Sequence, residues 1–531
     1  MCHNELQLFI REVPVIEVEV HQQLRAFLRQ QGEPYWHHHL TMARLVARGL
    51  RLGRSTLVQA GAPSGYHGYY RLSYLVPALL WQEPTVLVLP EPLQQRLLMV
   101  EIPRLREWLP SAKAIRTGDR FPEAGFNGLL ITTPEAWLSD RLRQEGRFPD
   151  NIPTILDGVE DLEAWVRDLT SIHLLSEHWD ALMLAYPSRV EQIRDVRVRL
   201  THGIFQHPAN PYDCYVLEPE QRSLLHQLLH RLVEPSEPPA PSPTVLPAPW
   251  DEWERRLQST DFLNWVTINR QQGNFALHSN VVDLAPLLAP VWAKQPVVLI
   301  GGALDPDRSA PTFRQQLGLD DITCIQFHPD RHQEFVQLYL PEGLPMPNTP
   351  QFQPVVMREL RALLSTNTAR QGLTVILVSD VPLRAQLAAE LAAEYGSRVQ
   401  MEKTCLDDMG ILVAGWEFWR SHQSVLPTPT LLVVPTLPIP SLEDPRVEGR
   451  VAFYKRQRQD WFRLYLLPTA LRELQRAIAP LRDNRGVVAL LDNRVNHRSY
   501  GQQVLEALEP MAQINYLDAS LFSAPDFSAV D

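Results

Sequence analysis

The densest group of residues suited to binding chemistry lies late in the chain. Arg446, Arg450, Lys455, Arg456, Arg458 and Arg463 are interleaved with Phe453, Tyr454 and Trp461. Cations pair with backbone phosphates while aromatic faces stack on bases, so this mixture suits single-stranded nucleic acid. Lys455, Arg456, Arg458 and Trp461 are the candidate contacts. A solvated helix face has the same composition, and the sequence leaves both readings open. Arg44, Arg48 and Arg51 form a second basic strip. The run His37-His38-His39 invites a metal, but neighbouring residues do not share a face, so three consecutive histidines rarely hold one ion. A role at the surface or at a helix start is expected for them, and no metal ligands are assigned. Cys2, Cys214, Cys324 and Cys405 are dispersed, with no C-x-x-C pair, which argues for buried thiols over a zinc ribbon.

Composition sets the frame for these groups. At 531 residues the chain calls for two or three domains. Hydrophobic residues at 45% supply a sizeable core. A net charge of −11 excludes a globally basic coat and leaves room for a local basic groove. Nearly all the basic residues are arginines; the lysines are Lys113, Lys294, Lys403 and Lys455. No segment approaches the roughly 18 apolar residues of a membrane helix, and the N-terminus lacks a signal-peptide pattern. A soluble, cytoplasmic protein without a membrane partner is expected.

The elements that must position these groups alternate along the chain. His38 to Leu52 is helical in pattern, followed by a strand at 55–60, a glycine-rich turn at 61–68 and an apolar stretch at 72–80. Further strands are expected at 85–89, 128–133 and 153–157, with a helix over 93–109. Residues 162–232 turn helical and polar, and 235–249 is rich in proline without periodicity. Strands resume at 296–300, 373–378, 410–414, 430–434 and 486–491. Short apolar strands alternating with helices predict parallel α/β sheets.

In order and spacing these segments resemble the DinG/XPD-type superfamily 2 helicases over about residues 30–510. Gly410-Ile-Leu-Val-Ala-Gly-Trp-Glu-Phe-Trp419 resembles the strand that ends in Ser-Phe-Trp-Glu-Gly in that family. Leu431–Pro440 followed by Asp444-Pro445 resembles its Leu-Pro-Phe-Pro-x-Pro-x-Asp-Pro run. Leu467-Pro468, residues 475–482 and Arg485-Gly-Val-Val-Ala-Leu-Leu-Asp492 resemble its motif VI and the next strand. Leu93–Leu98 with Ile102-Pro103, and Ile131-Thr-Thr-Pro-Glu-Ala136, fit the first half. The resemblance implies two RecA-like parallel-sheet lobes. The expected division is a lead-in at 1–30, a first lobe at 31–165, a helical insertion at 166–233 and a Pro-rich linker at 234–250. A return to the first lobe at 251–305, a second lobe at 306–515 and a tail at 516–531 complete it.

The resemblance also implies ATP and Mg²⁺, and here the chain departs from the family. Its phosphate loop falls on Gly61-Ala-Pro-Ser-Gly-Tyr-His-Gly-Tyr-Tyr-Arg71, with Gly61, Ser64, Gly65 and Arg71 as the candidate nucleotide contacts. A working loop offers backbone N–H groups, a lysine and a hydroxyl to phosphate and Mg²⁺. No lysine precedes Lys113, Pro63 removes a donor, and Tyr66, His67, Tyr69 and Tyr70 are bulky. The acidic box falls on Asp157-Gly-Val-Glu160: the metal-directed Asp157 is kept, and the water-positioning glutamate is Gly158. Motif VI keeps Gln475 and Arg482 but has Ala479 for its first arginine. Asp157, Gln475 and Arg482 are therefore the retained catalytic positions. Three departures in one chemistry imply lost ATP hydrolysis and unwinding. The interval 108–157 holds no cysteine, so no iron–sulfur cluster is expected there. The expectation is a nucleic-acid-binding protein with single-stranded DNA or a repair or replication protein as partner. A divergent but active DNA helicase and a non-enzymatic scaffold are the alternatives.

Overall fold

The computed structural model describes residues 15–31, 36–109, 113–123, 125–234, 245–329, 335–367 and 372–517. The chain divides into two compact units. One comprises Met1–Leu162, Leu287–Gly302 and Gly318–His328; the other comprises Glu163–Pro286, Ala303–Leu317 and Pro329–Asp531.

The first unit contributes β1 (Thr56–Gln59), β2 (Thr85–Val88), β3 (Ile115–Thr117), β4 (Leu129–Thr132) and β5 (Thr154–Asp157). The chain then enters the second unit, where β6 (Ile172–Leu174), β7 (Cys214–Val216), β8 (Phe262–Asn269) and β9 (Asn274–Val281) lie. It returns for β10 (Val297–Gly301) and β11 (Thr323–Gln326). The first unit's sheet runs β11-β1-β10-β5-β2-β4-β3 with parallel pairing throughout. Every residue of β1, β2, β4, β5 and β10 is buried, as expected of parallel strands covered on both faces. Helix His39–Leu52 lays Met42, Ala43 and Val46 into this core beside Leu75 of helix Leu72–Leu80. It ends at Gly53, whose left-handed φ of 59° lets its N–H reach the Gly49 carbonyl.

The second unit holds two sheets. β12 (Val336–Tyr339), β13 (Leu373–Leu377), β14 (Val399–Met401), β15 (Ile411–Ala414), β16 (Pro429–Val434), β17 (Val487–Leu490) and β18 (Met511–Ile514) form a parallel sheet in the order β14-β15-β13-β16-β17-β12-β18. The other sheet is antiparallel, in the order β6-β9-β8-β7. The α/β expectation of two parallel-sheet lobes holds.

Several local expectations change. The glycine-rich turn at 61–68 is mostly helix Ala62–His67, because the φ of 87° at Gly61 completes the bend in one residue. The lead-in contains helix Ile16–Gln31, packed on the core through Val20, Leu24 and Phe27. The segment expected as a helical insertion contributes β6 and β7 to a sheet, and residues 262–281 supply its other two strands instead of joining the first lobe. Asn264, Val266 and Ile268 alternate inward along β8, which marks a half-covered antiparallel strand. β11 extends the first lobe's sheet, which differs from the expected second-lobe span of 306–515. Residues 1–14, 235–244 and 518–531 lie outside the described residues. No helix among the described residues is long and apolar enough to cross a membrane.

Candidate nucleotide and nucleic-acid sites

At the C-terminal ends of β1, β5 and β10 the chain brings together the segments expected to hold phosphate. The Ala60 N–H donates to the Gly301 carbonyl at 2.8 Å, and the Gly158 N–H donates to the Ile300 carbonyl at 2.9 Å. Gly158 takes a φ of 83°, which a side chain would strain. Helix Ala62–His67 lies close against the loop after β10. A Cβ on Gly65 would stand 2.8 Å from the Gly302 Cα, so only glycine fits this approach. The Gly302 N–H donates to Glu160 Oε2 at 3.3 Å, so Glu160 ties down this loop.

Asp157, at the end of β5, is fully buried. The Tyr70 hydroxyl donates to its Oδ1, the Tyr74 hydroxyl donates to its Oδ2 at 2.8 Å, and Arg71 Nε stands 3.5 Å from Oδ2. Tyr70 and Tyr74 are four residues apart at a helix start, so their rings lie on one face, 6.2 Å between centroids. Burial raises both phenol pKa values, and the Asp157 charge raises them further, so both remain donors. Burial opposes the charge of Arg71, yet Asp157 and the two tyrosines hold its pKa above the ordinary value. The guanidinium runs beneath Gly68, where a Cβ would sit 2.2 Å from its Cζ. Ser64 is buried. Thus Gly61, Ser64, Gly65, Arg71 and Asp157 do assemble, but Arg71 faces inward to the carboxylate.

The histidine run separates as its spacing requires. His37 is exposed. His38 stacks on Phe327 at 4.9 Å, with its Nε2 3.2 Å from the His328 carbonyl oxygen. His39 is buried, its Nδ1 2.9 Å from Ser73 Oγ. Burial, with a contribution from His38, lowers its pKa to about 4. His39 is therefore a buried residue that opens helix His39–Leu52, so the helix-start reading fits it and the surface reading does not. Trp36 stands edge-on to His38, His39 and Phe327.

In the second unit, Gln475 lies half-buried on helix Leu467–Ile478. Arg482 is 2% exposed, and its guanidinium donates to the carbonyls of Leu508, Glu509 and Pro510 at 2.9–3.1 Å. Those carbonyls lie at and just beyond the end of helix Gly501–Leu508, so Arg482 caps a helix C-terminus. Ala479 is buried. Asp492 accepts the Leu437 N–H at 2.7 Å and pairs with Arg494 at 2.6 Å. It thereby joins the two segments in which the family resemblance is most specific.

The basic run divides by what each cation meets. Arg446 pairs with Asp444 at 2.8 Å. Arg450 donates to Glu163 at 2.6 Å and lies 4.0 Å from the Tyr465 ring centre. Arg167 also donates to Glu163 at 3.0 Å, and Arg472 stands 3.9 Å from it. Burial pushes the Glu163 carboxyl upward, but Arg450, Arg167 and Arg472 outweigh it and hold its pKa well below the ordinary range. Glu163 and Arg167 are an i,i+4 pair on one helix, but Arg450 and Arg472 come from far along the chain, so the cluster as a whole gave no local signal. Lys455, Arg456 and Arg458 stay exposed, with the Lys455 ammonium 5.3 Å from the Trp461 ring centre. Of the cysteines described, Cys214 is buried, Cys324 is intermediate and Cys405 is exposed, so the expectation of buried thiols holds for Cys214. No cluster of three or more metal-ligating side chains occurs among the described residues.

With this geometry in view, comparisons with known proteins converge. Residues 426–511 match the model of a helicase C-terminal domain. The chain is 26% identical over 274 residues to the ATP-dependent DNA helicase YoaA of Haemophilus influenzae, covering 48% of this chain and 42% of that protein. It is 22% identical over 250 residues to YoaA of Escherichia coli, covering 45% and 39%. A solved XPD helicase superposes with a TM-score of 0.57 at 11% identity, over 91% of this chain and all of that one. The chain is similar to DinG/XPD-type superfamily 2 helicases. Its matches to these DinG/XPD relatives span about two fifths of the YoaA lengths.

Proposed function

We propose that this protein binds nucleic acid on a helicase scaffold and does not hydrolyse ATP at the ancestral cradle. The observation that carries this reading is the state of Asp157. A metal-directed carboxylate must face a hydrated cation. Here both oxygens are engaged by Tyr70, Tyr74 and Arg71, and the residue is fully buried. Chemistry of the donor set supports the same reading: the loop has no lysine, Gly65 lies against Gly302, and Arg482 is committed to backbone carbonyls. These residues do not fit a Mg²⁺-triphosphate, and no step is assigned through one. Exposed Lys455, Arg456 and Arg458 beside Trp461 support contact with single-stranded nucleic acid, and a repair or replication protein is the partner class that fits the family type.

The test pairs ATP turnover with strand binding. Turnover is expected to be absent with or without single-stranded DNA. Fluorescence anisotropy is expected to show salt-dependent DNA binding that weakens in Lys455→Glu/Arg458→Glu. ATP turnover that disappears in Asp157→Asn, with the thermal transition retained, supports instead an active DNA helicase, as the relatives' names describe. Absence of strand binding at low salt supports a non-enzymatic scaffold.

A further inference from the structure

The first unit carries a cavity of about 640 Å³ on the edge of its sheet opposite the phosphate cradle. It is formed where β1, β5, β10 and β11 begin, whereas the cradle is formed where β1, β5 and β10 end. That volume falls within the roughly 300–1,000 Å³ of small-molecule sites. The composition of its lining is specific. Arg54 and Lys294, both exposed, face one carboxylate, Asp321, leaving a net positive rim. Lys294 is one of only four lysines in the chain.

A flat wall is supplied by Trp292, whose ring lies nearly parallel to that of buried Trp137, 23° between planes and 6.5 Å between centroids. That backing fixes the indole as a rigid surface for stacking. Gln295 lines the cavity and is 4% exposed. Its Nε2 donates to Thr154 Oγ1 at 3.0 Å, and Thr154 donates in turn to the Ile152 carbonyl at 3.1 Å. This chain of bonds fixes the amide, and it leaves Gln295 Oε1 buried without a hydrogen-bond partner. A buried acceptor left unpaired is destabilising, and a donor reaching it from the cavity would relieve that cost.

We propose that this cavity is a nucleotide site separate from the cradle, taking a nucleoside monophosphate. The phosphate faces Arg54 and Lys294, the base stacks on Trp292, and an exocyclic amine donates to Gln295. No metal is required, because the rim carries the compensating charge. The same chemical unit has two sources: a free mononucleotide, or the phosphorylated end of a single strand.

The experiment is calorimetric titration of the full chain with AMP in the presence of a metal chelator at low salt. Saturable one-to-one binding is expected. Arg54→Glu/Lys294→Glu, two surface changes, is expected to weaken it at least about tenfold through loss of charge-assisted phosphate contacts. Gln295→Leu, checked for an unchanged thermal transition, is expected to weaken AMP while sparing ribose phosphate. His38→Ala, which does not line this cavity, is expected to leave AMP affinity unchanged. Displacement of AMP by an oligonucleotide bearing a terminal phosphate assigns the strand end as the source; failure of displacement assigns the free mononucleotide. No saturation up to about 5 mM AMP, well past a Kd of about 1 mM, overturns the proposal. So does binding that survives Arg54→Glu/Lys294→Glu or is lost in His38→Ala.

Discussion

The Tyr74 hydroxyl donates to Asp157 Oδ2 at 2.8 Å inside a fully buried pair. The acidic residue at the end of β5 is thus a structural acceptor, with Arg71 as its counter-charge. Tyr74→Phe should destabilise the first unit by about 1.5–3 kcal/mol, the range for a hydrogen bond to a charged group. Asp157→Asn should cost about 3–5 kcal/mol by leaving Arg71 buried without an ion pair. Urea unfolding followed by circular dichroism measures both. A smaller loss for Asp157→Asn than for Tyr74→Phe would contradict the role given to the carboxylate.

Glu163 holds Arg167, Arg450 and Arg472, each less than a quarter exposed. Glu163→Gln leaves three close cations without their shared acid and should cost about 3 kcal/mol. The folded carboxyl titrates below its ordinary 4.5, so its contribution is complete above that pH and is lost as pH falls further. Thermal unfolding against pH should show this loss in the native chain and not in the variant.

His39 gives a different window. Its folded pKa, about 4, lies below its ordinary 6.5, so the unfolded chain takes up the proton more readily. The contribution is present in full above pH 6.5 and declines as pH falls toward 4, by up to about 3 kcal/mol. Replacing His39 by Gln should flatten the stability profile of the first unit across that interval. An unchanged profile would show that the imidazole is not held neutral.

The approach of Gly65 to Gly302 is testable by one methyl group. Gly65→Ala places a Cβ against backbone, which cannot give way as a flexible side chain does. Overpacking of this kind should cost about 1–3 kcal/mol. Gly118→Ala, whose Cβ would meet only the Arg120 carbonyl at 3.8 Å, is the control expected to change little. Equal melting temperatures for the two variants would refute the contact.

Much of the architecture was legible before any coordinates. β1, β2, β4, β5, β10, β13, β15, β16 and β17 are short apolar runs, and a run buried on both faces announces itself by composition alone. β3, β11, β14 and β18 did not, because their burial is partial and their residues mixed. The hairpin of β8 and β9 alternates visibly, yet which sheet it joins depends on pairing with β6 and β7, and periodicity carries no partner information.

The sequence by itself determined the α/β class, the order of the motifs and the absence of a lysine from the phosphate loop. It also determined which positions are cationic. Only the tertiary structure decided where those charges point. Arg71 turns to Asp157, Arg482 turns to the carbonyls after helix Gly501–Leu508, and Arg450 turns to Glu163, while Lys455 remains at the surface. The physical reason is that burying a charge requires a partner, and the partners stand 86, 26 and 287 residues away, beyond the reach of local pattern. Local pattern specifies a residue's chemistry; the fold specifies what that chemistry is used on.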